Sequence, residues 1–406
     1  MNYFDVNISV LLIVLLGCTA LFAIICAVFG LMPLRRVARK GAQMEKAGEE
    51  LLQVTDEKLP SVSVVVYARN AEERIDEFIK SVLKQDYPDF EVIIVNDAST
   101  DMTRERVETM QRECGDKLKY TFVPESARNI SRKKMAFALG IKGARGEVIV
   151  TTLAGGCIES DRWLRLMCAP FVDEDVEMTL GYAYYPNKLF KGKHLRSFDT
   201  TLIASQWIGA AAVGKAFRGT EYNMAFRRHC FFDSKGYASS ISLQGGHDDM
   251  FVCDVARSGH VKMVLDTDAR VAIDCKPENF HRMWKDDKEH RTFMSRFLNT
   301  GAFRQQGFCS LCLWLCLACA VATIAYASPN FFPISIVMVI LLALWGYQIT
   351  LYRKVSGLLG AVRLWWGVPF GFVLRPLMTA RGRARMRGTQ DRHYTWTTGM
   401  KSRSEI

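Results

Sequence analysis

The chain has 406 residues, a formal net charge of +11 and 49% hydrophobic residues, enough for one large or two ordinary domains. Much of the basic excess flanks apolar segments or lies in residues 381–387, where attraction to anionic lipid headgroups explains it more simply than nucleic acid does. The sequence contains no nucleic-acid-binding motif that would support the second explanation.

Three apolar segments without any charged residue predict membrane spans, at residues 8–32, 308–328 and 331–352. About 20 apolar residues are needed to cross a hydrocarbon core of about 30 Å, so each segment is long enough. A cleavable signal peptide is the alternative for the first segment. However, residues 1–7 contain no Lys or Arg and no clear cleavage site follows, which favours a permanent span.

Basic residues beside these spans predict the orientation of the chain in the membrane: Arg35, Arg36, Arg39, Lys40, Arg296, Arg304, Arg353 and Lys354. The positive-inside rule places the amino terminus outside and residues 33–305 in the cytosol, as in a multi-pass protein of the inner (plasma) membrane. A cytosolic body argues against structural disulfides among the twelve cysteines. Four cysteines of the second span, Cys309, Cys312, Cys316 and Cys319, share one helical face, where helix packing is favoured over a metal site.

Strands and helices alternate after Pro60, which is expected to end a polar helix over residues 41–59. Apolar, β-branched runs predict strands at 61–67, 90–95, 119–123 and 148–152, and amphipathic runs predict helices at 72–85, 102–114 and 131–143. This alternation predicts an α/β fold, a mostly parallel sheet with helices on both faces. Because ligands of such sheets bind at the carboxyl ends of strands, the glycine turn at 153–157 should lie in the active site.

Several motifs stand in a fixed order along this body, at residues 62–69, 85–88, 92–101, 131–136, 160–164, 219–226 and 246–252. Each piece alone is a weak signal, but the ordered set is specific. Over residues 60–295 it resembles the membrane-bound family 2 glycosyltransferases. The resemblance implies a GT-A fold, a Rossmann-like sheet that binds a nucleotide-sugar.

The resemblance also implies roles for individual residues. Ala68, Arg69 and Asn70 match the nucleotide side of the first strand, and Asp97 matches the acid that contacts the base or ribose. Asp248 matches the general base that removes the proton of the acceptor hydroxyl, with Asp249 beside it as a second candidate. The contacts to the diphosphate or acceptor would come from Lys134, Asp249, Lys288 and Arg291. The alternatives are that Asp97 or the Asp248–Asp249 pair caps a helix, and that the basic residues form a solvated face.

The sequence departs from the family at its metal site. The family's Asp-x-Asp motif, which holds a divalent Mg or Mn ion on the diphosphate, falls on Ala154-Gly155-Gly156, so a metal is doubtful here. His247 replaces an acid beside Asp248, and the family's Gln-x-x-Arg-Trp segment is matched only loosely, at residues 284–291. Asp266-Thr267-Asp268 is interpreted as a strand-end turn, and Asp161 as a helix cap. Lys133, Lys134, Lys288 or Arg291 could instead neutralise the diphosphate as fixed cations.

The predicted organisation is a transmembrane helix (1–33), a juxtamembrane linker (34–59), a cytosolic GT-A domain (60–305), a transmembrane hairpin (306–353) and an interfacial helix with a basic tail (354–406). The interfacial helix is expected at 358–377, because Trp365, Trp366, two prolines and two arginines argue against a simple span.

The function implied by the resemblance is that of an inverting hexosyltransferase. Its partners would be a nucleotide-sugar donor, a lipid-linked or polysaccharide acceptor, the membrane and the proteins of a biosynthetic complex. The alternative is a catalytically inactive relative that serves as a binding or assembly subunit.

Overall fold

The computed structural model describes residues 3–124, 131–240, 243–298, 301–327, 330–364 and 366–388. The chain separates into two compact units. The helical unit comprises Met1–Arg39, Phe190–Gly209 and Asn299–Arg383, and the sheet unit comprises Lys40–Leu189, Ala210–Leu298 and Ala384–Ile406.

The helical unit contains the long apolar helices. Its helices are α1 (Tyr3–Ile25, continued by a π-helical turn, Cys26–Gly30), the start of α2 (Met32–Leu52), most of α7 (His194–Ala211), α11 (Gly301–Ala327), α12 (Phe331–Leu358) and α13 (Gly367–Gly388). Three segments are long and apolar enough to cross a membrane: Ser9–Gly30, Gly301–Ala327 and Phe331–Leu358. Buried Cys312 and Cys316 of α11 pack against α1, where the Cys316 thiol donates to the Thr19 carbonyl at 3.5 Å. The carbonyl of buried Cys309 accepts from the Cys26 thiol of the π-helical turn. An ion pair between Arg375 of α13 and buried Asp199 of α7 lies within the same unit, at 3.5 Å.

The main sheet of the sheet unit has seven strands among the described residues: β1 (Val62–Ala68), β2 (Phe90–Asn96), β3 (Leu118–Phe122), β4 (Val148–Leu153), β6 (Val176–Leu180), β8 (Met224–Arg227) and β9 (His260–Met263). Their order across the sheet is β3-β2-β1-β4-β8-β6-β9. The first four in this order are parallel neighbours, and β8 runs antiparallel to its neighbours β4 and β6. A second, three-stranded sheet has the order β5 (Gly156–Cys157), β10 (Val271–Ile273) and β7 (Ala183–Tyr184).

Helices pack on the main sheet through apolar faces. They are α3 (Ile75–Leu83), α4 (Thr103–Cys114), α5 (Arg132–Gly143), α6 (Trp163–Cys168), α8 (Arg228–Asp233) and α9 (Asp249–Ser258). Helix α10 (Phe280–Met294) instead packs its buried Phe293 and Met294 with Leu243 and Met250. In α3 the buried residues recur at helical spacing, so one stripe faces the strands. Helix α5 approaches β1 through Gly140, where a Cβ would collide with the side chain of Val65.

The mostly parallel α/β sheet predicted from the sequence is confirmed, and β1 to β4 lie within two residues of their predicted bounds. Three local expectations are wrong. The polar helix ends at Leu52, well before Pro60, and a 3₁₀ turn follows at Asp56–Lys58. Helix α6 is capped at Arg162, whose N–H donates to Ser160 Oγ, so Asp161 is not its cap. Helix α13 begins at Gly367 instead of at 358, because α12 continues to Leu358; Trp365 and residues 389–406 lie outside the described residues.

Candidate functional site

The carboxyl ends of β1, β2 and β4 meet at one edge of the main sheet, which we call the carboxyl edge. Their registers pair Ala68 with Asn96 and Tyr67 with Leu153, so the three strands end level with one another. Two tight turns follow, because Asn70 and Ala98 adopt positive φ values of 47° and 46°. Left-handed backbone outside glycine is uncommon and is found preferentially where a loop must hold a specific shape.

Asp97 lies in the second of these turns, and its buried carboxylate is shared by three side chains. Tyr67 donates its hydroxyl to Oδ2 at 2.7 Å, Arg132 donates Nε to Oδ1 at 2.5 Å, and Arg69 pairs with Oδ2 at 3.4 Å. Burial, and then the charge of Asp97, raise the pKa of Tyr67 well above its ordinary value, so its phenol stays protonated. Asp97 therefore fixes two guanidinium groups at the carboxyl edge and is not the cap of the following helix α4.

The other two predicted nucleotide contacts belong to the same turns. The Ala68 carbonyl accepts from the Asp97 N–H at 2.9 Å, and Asn70 Oδ1 accepts from the Thr100 N–H at 2.9 Å. The structure thus brings Ala68, Asn70 and Asp97 together in one pair of interlocked loops.

A second group of charges lies beside this one, centred on Glu221. Lys133 Nζ contacts both carboxylate oxygens of Glu221 at 2.9 Å, and His247 Nε2 lies 2.5 Å from Glu221 Oε2. Lys133 Nζ also lies 5.2 Å from the ring centre of Tyr67, so the Glu221 group and the Asp97 group adjoin. The His247 ring is stacked on Phe137, with ring centres 5.6 Å apart.

Glu221 is ionised in this arrangement. Burial opposes its charge, but Lys133 and then His247 outweigh that effect and hold the pKa of Glu221 well below its usual range. The Lys133 side chain is 30% exposed and that of Glu221 21% exposed, so the pair is accessible to a ligand at the carboxyl edge.

The predicted base motif is split between a half-buried and a buried carboxylate. Asp248 is the N-cap of α9, where its Oδ1 accepts from the Asp249 N–H at 2.8 Å. Asp249 is buried and pairs with Arg218 Nε at 3.0 Å and 3.1 Å. Burial raises the pKa of Asp249 to about 7 in spite of Arg218. The helix-cap alternative is therefore correct for Asp248, which keeps its second oxygen for other chemistry, whereas Asp249 is part of a structural pair.

Lys133 and Lys134 of α5 point to different sides of the helix. Lys134 is 2% exposed, and its ammonium donates to the carbonyls of Ser240 and Leu243, the latter at 2.8 Å. Burial lowers the pKa of Lys134 to about 7, although the charge of Asp248 acts in the opposite direction. Lys134 thus anchors the chain around Leu243, and Lys133 is the residue of the pair at the carboxyl edge.

The remaining predicted contacts lie on α10. Lys288 Nζ stands 5.1 Å from the ring centre of Trp284, and Arg291 pairs with Asp287 at 2.6 Å. His290, between them in sequence, packs on Gly245, where a Cβ would collide with its ring. Helix α10 therefore contacts the loop that precedes His247 and Asp248.

Sequence reasoning missed Glu221, which is the centre of the charged group. The signal was present as one acidic residue inside the motif at residues 219–226. Its partners are 88 and 26 residues away in sequence, so no local pattern could connect them.

Comparison with known proteins gives a family match for part of the sheet unit. Residues 63–236 match the family model described as glycosyl transferase family 2. The chain therefore carries a family 2 glycosyltransferase domain. An uncharacterized glycosyltransferase of Haemophilus influenzae is 46% identical over 56 residues, and one of a Nostoc species is 33% identical over 88 residues. These alignments span 14% and 22% of this chain but only 17% and 26% of the relatives, less than two thirds of their length.

Solved glycosyltransferase structures are similar at lower identity. The mannosyltransferase PcManGT of Pyrobaculum calidifontis, in complex with GDP-Man and Mn²⁺, is 17% identical, with 84% of this chain and 97% of that chain covered and a TM-score of 0.49. Glucosyl-3-phosphoglycerate synthase of Mycobacterium tuberculosis, in complex with Mn²⁺ and UDP-Glc, is 14% identical, with 63% and 82% covered and a TM-score of 0.39. Both TM-scores are below 0.5, so the assignment of the domain rests on the family match and on the observed sheet.

The turn after β4 does not fit the divalent metal expected for the family. Ala154, Gly155 and Gly156, onto which the resemblance aligns the family's metal-binding motif, offer no side-chain oxygen. A Cβ at Gly156 would crowd Val271 and the Leu153 carbonyl, which explains why a larger residue is disfavoured there. Nearby Asp274 is held at this turn, since its N–H donates to the Gly155 carbonyl and its carboxylate pairs with Arg74.

Proposed function

We propose that the chain is a membrane-bound inverting glycosyltransferase that moves a sugar from a nucleotide-sugar donor to an acceptor at the cytosolic membrane face. The observation that carries the proposal is the arrangement of the Asp97 group, the Lys133–Glu221–His247 group and Asp248 within a family 2 domain. The acceptor is a lipid-linked or polysaccharide hydroxyl, and the membrane is the inner membrane, crossed by the three apolar helices. This orientation follows from the basic residues beside the spans.

The interlocked loops of the Asp97 group bind the nucleoside. Asp97 holds Arg69 and Arg132 in place, and the turn residues Ala68 and Asn70 line the surface against which base and ribose pack. Arg69 is 26% exposed and therefore available to a ligand. The phosphate oxygens of the same donor also suit these guanidinium groups, because their planar N–H donors match phosphate geometry.

Lys133 neutralises the departing diphosphate in place of a metal. An ammonium has three N–H donors, of which the two oxygens of Glu221 engage two, so a phosphate oxygen is added without breaking the existing pair. Fixed cations stabilise developing negative charge best where they need no rearrangement, and Glu221 holds Lys133 in one position.

Asp248 is the general base. Its free carboxylate oxygen takes the proton of the acceptor hydroxyl while that oxygen attacks the anomeric carbon. The bond between the anomeric carbon and the diphosphate oxygen breaks on the opposite face, and the nucleoside diphosphate leaves with the electron pair. The sugar is transferred with inversion.

One observation favours a second candidate function. The lack of side-chain oxygens at residues 154–156 is also what a catalytically inactive relative would show, one that retains the domain as a binding or assembly subunit. Such a protein would bind a nucleotide or a partner without transferring sugar.

Asp248→Asn separates these functions. Asparagine is as good an N-cap as aspartate, so the variant should fold and bind nucleotide like the wild type, while transfer falls about 10²–10⁴-fold. The assay is transfer from radiolabelled nucleotide-sugars to membrane lipid extracts by detergent-purified protein. Asp254→Asn makes the same chemical change on the same helix, at a residue that pairs with Arg257, and is the matched control.

Two results would contradict the proposal. Equal transfer by wild type and Asp248→Asn would remove Asp248 from the chemistry. Nucleotide binding by the wild type without transfer to any acceptor would favour the inactive relative.

A further inference from the structure

A group of metal-ligating side chains lies at the opposite edge of the main sheet from the candidate active site. Glu177 is the second residue of β6, and His229 and Cys230 belong to α8, directly after β8. Because β4 and β6 are both antiparallel to β8, β6 runs parallel to β4, and its start lies at the amino edge. No motif in the sequence suggested this group, since 52 residues separate Glu177 from His229.

The ligand atoms of the three side chains lie within 4.8 Å of one another. His229 Nε2 is 3.3 Å from Glu177 Oε2, and Cys230 Sγ is 2.8 Å from the same oxygen. Zinc bonds of about 2.3 Å to sulfur and about 2.0–2.1 Å to nitrogen and oxygen place tetrahedral ligand atoms about 3.3–3.6 Å apart. To match this spacing the sulfur would need to withdraw from the Glu177 oxygen by about 0.7 Å. The sulfur lies 4.0 Å from His229 Nδ1.

The surroundings of the group hold the ligands in position. Asp233 Oδ2 lies 3.1 Å from His229 Nδ1, so the carboxylate can accept from this nitrogen and leave Nε2 facing Glu177. Such carboxylate–histidine pairs orient the imidazole in metal sites. The Glu177 side chain packs against Gly259. The backbone of Gly259 is extended, which any residue can adopt, but a Cβ there would collide with the Glu177 side chain. The space that Glu177 occupies therefore explains the glycine.

We propose that Glu177, His229 and Cys230 bind a zinc ion, with water as the fourth ligand. One thiolate, one imidazole and one carboxylate form a donor set that suits Zn²⁺ better than Mg²⁺ or Ca²⁺, which require oxygen ligands. On binding, the Cys230 thiol loses its proton to solvent and the sulfur bonds the metal. The ion would join β6 to α8 at a site separate from the proposed transferase chemistry.

Cobalt is the probe for this site, because thiolate-bound Co²⁺ gives a near-ultraviolet charge-transfer band and tetrahedral Co²⁺ gives intense visible bands. Titration of reduced, detergent-purified full-length protein should develop both bands with one equivalent, and Zn²⁺ should abolish them. Cys230→Ser should lose the charge-transfer band. Cys114→Ser, which removes a partly exposed thiol at the end of α4, should keep it.

Two further variants keep the test decisive if Cys230→Ser folds poorly. His229 is 55% exposed, so His229→Asn should fold and bind Co²⁺ at least tenfold more weakly. Asp233→Asn should keep the bands and weaken binding about 10–100-fold. A titration without the charge-transfer band, or a band unchanged by Cys230→Ser and His229→Asn, would overturn the proposal. Nucleotide binding, measured in parallel, should be the same in all variants.

Discussion

Charge at the carboxyl edge is arranged around two carboxylates, each holding cations. Asp97 is fully buried and holds Arg69 and Arg132, while Glu221 is partly open and holds Lys133 and His247. Removing one partner of a buried pair leaves an uncompensated charge, so such groups are rigid. Rigid cations are what a leaving diphosphate requires when no metal is available to it.

Lys134 makes stability depend on pH. Its folded pKa of about 7 lies below the ordinary lysine value of 10.5, so the unfolded chain binds more protons between these pH values. The free energy of unfolding should therefore be highest above about pH 10.5 and should fall as the pH decreases to about 7. Lys134→Met should remove this slope, measured by thermal melting in detergent across pH 7–10. Lys142→Met, on the exposed face of the same helix, should keep it, and an equal slope in Lys134→Met would refute the assignment.

The roles of these two lysines could not be predicted from sequence. Lys133 and Lys134 are adjacent and chemically identical, and the helix turns one of them into the core and the other toward the carboxyl edge. The loops of the Asp97 group lie together because strand ends of a parallel sheet meet at one edge, and their role in nucleotide binding stays a prediction. The partners of Asp97 were not predicted, since they come from other elements.

Strand β8 is one of the elements that the alternating pattern does not predict, because it is short and antiparallel. Asn223, directly before it, joins three parts of the sheet unit. Its Oδ1 accepts from Trp163 Nε1 at 3.0 Å, and its Nδ2 donates to the carbonyls of Tyr182 at 3.3 Å and Ala269 at 2.7 Å. Gly181 provides the space, since a Cβ there would collide with the Asn223 amide.

Asn223→Ala should therefore destabilise the sheet unit. The change leaves the buried Trp163 indole N–H and the Ala269 carbonyl unpaired, at about 1–3 kcal/mol each, so a loss of about 2 kcal/mol or more is expected. The Tyr182 carbonyl still accepts from the Val271 N–H. In a unit of this size the loss corresponds to a decrease of about 4 °C or more in Tm, measured by circular dichroism in detergent. Trp163→Phe removes the indole donor and also shrinks a fully buried ring, so it should destabilise the unit as well. A Tm that is unchanged in Asn223→Ala would contradict this role.

Elements with strong local patterns were predicted well, and those that depend on distant partners were not. The β-branched runs of β1, β2 and β4 and the apolar stripe of α3 indicate their own structure. The two-residue strands β5 and β7 exist because β10 pairs with both of them, and no local pattern marks them.

At the scale of the whole molecule, a family 2 glycosyltransferase domain is combined with three apolar helices long enough to cross a membrane. Both features could be predicted from the sequence, because hydropathy and ordered motifs are properties of the chain itself. The replacement of the metal-binding carboxylates by Ala154-Gly155-Gly156 raised the question of how the diphosphate is held. The answer proposed here, Lys133 fixed by Glu221, depends on contacts that only the fold provides.

The most direct test is calorimetric binding of a panel of nucleoside diphosphates to detergent-purified protein in EDTA and in Mg²⁺ or Mn²⁺. We predict binding of one nucleotide in EDTA with no more than a small gain from metal. Lys133→Gln should weaken it about 10–100-fold, since charge-assisted hydrogen bonds contribute about 1.5–3 kcal/mol, while Lys142→Gln should not change it. Binding that requires a divalent metal, or that is equal in Lys133→Gln and wild type, would contradict the account.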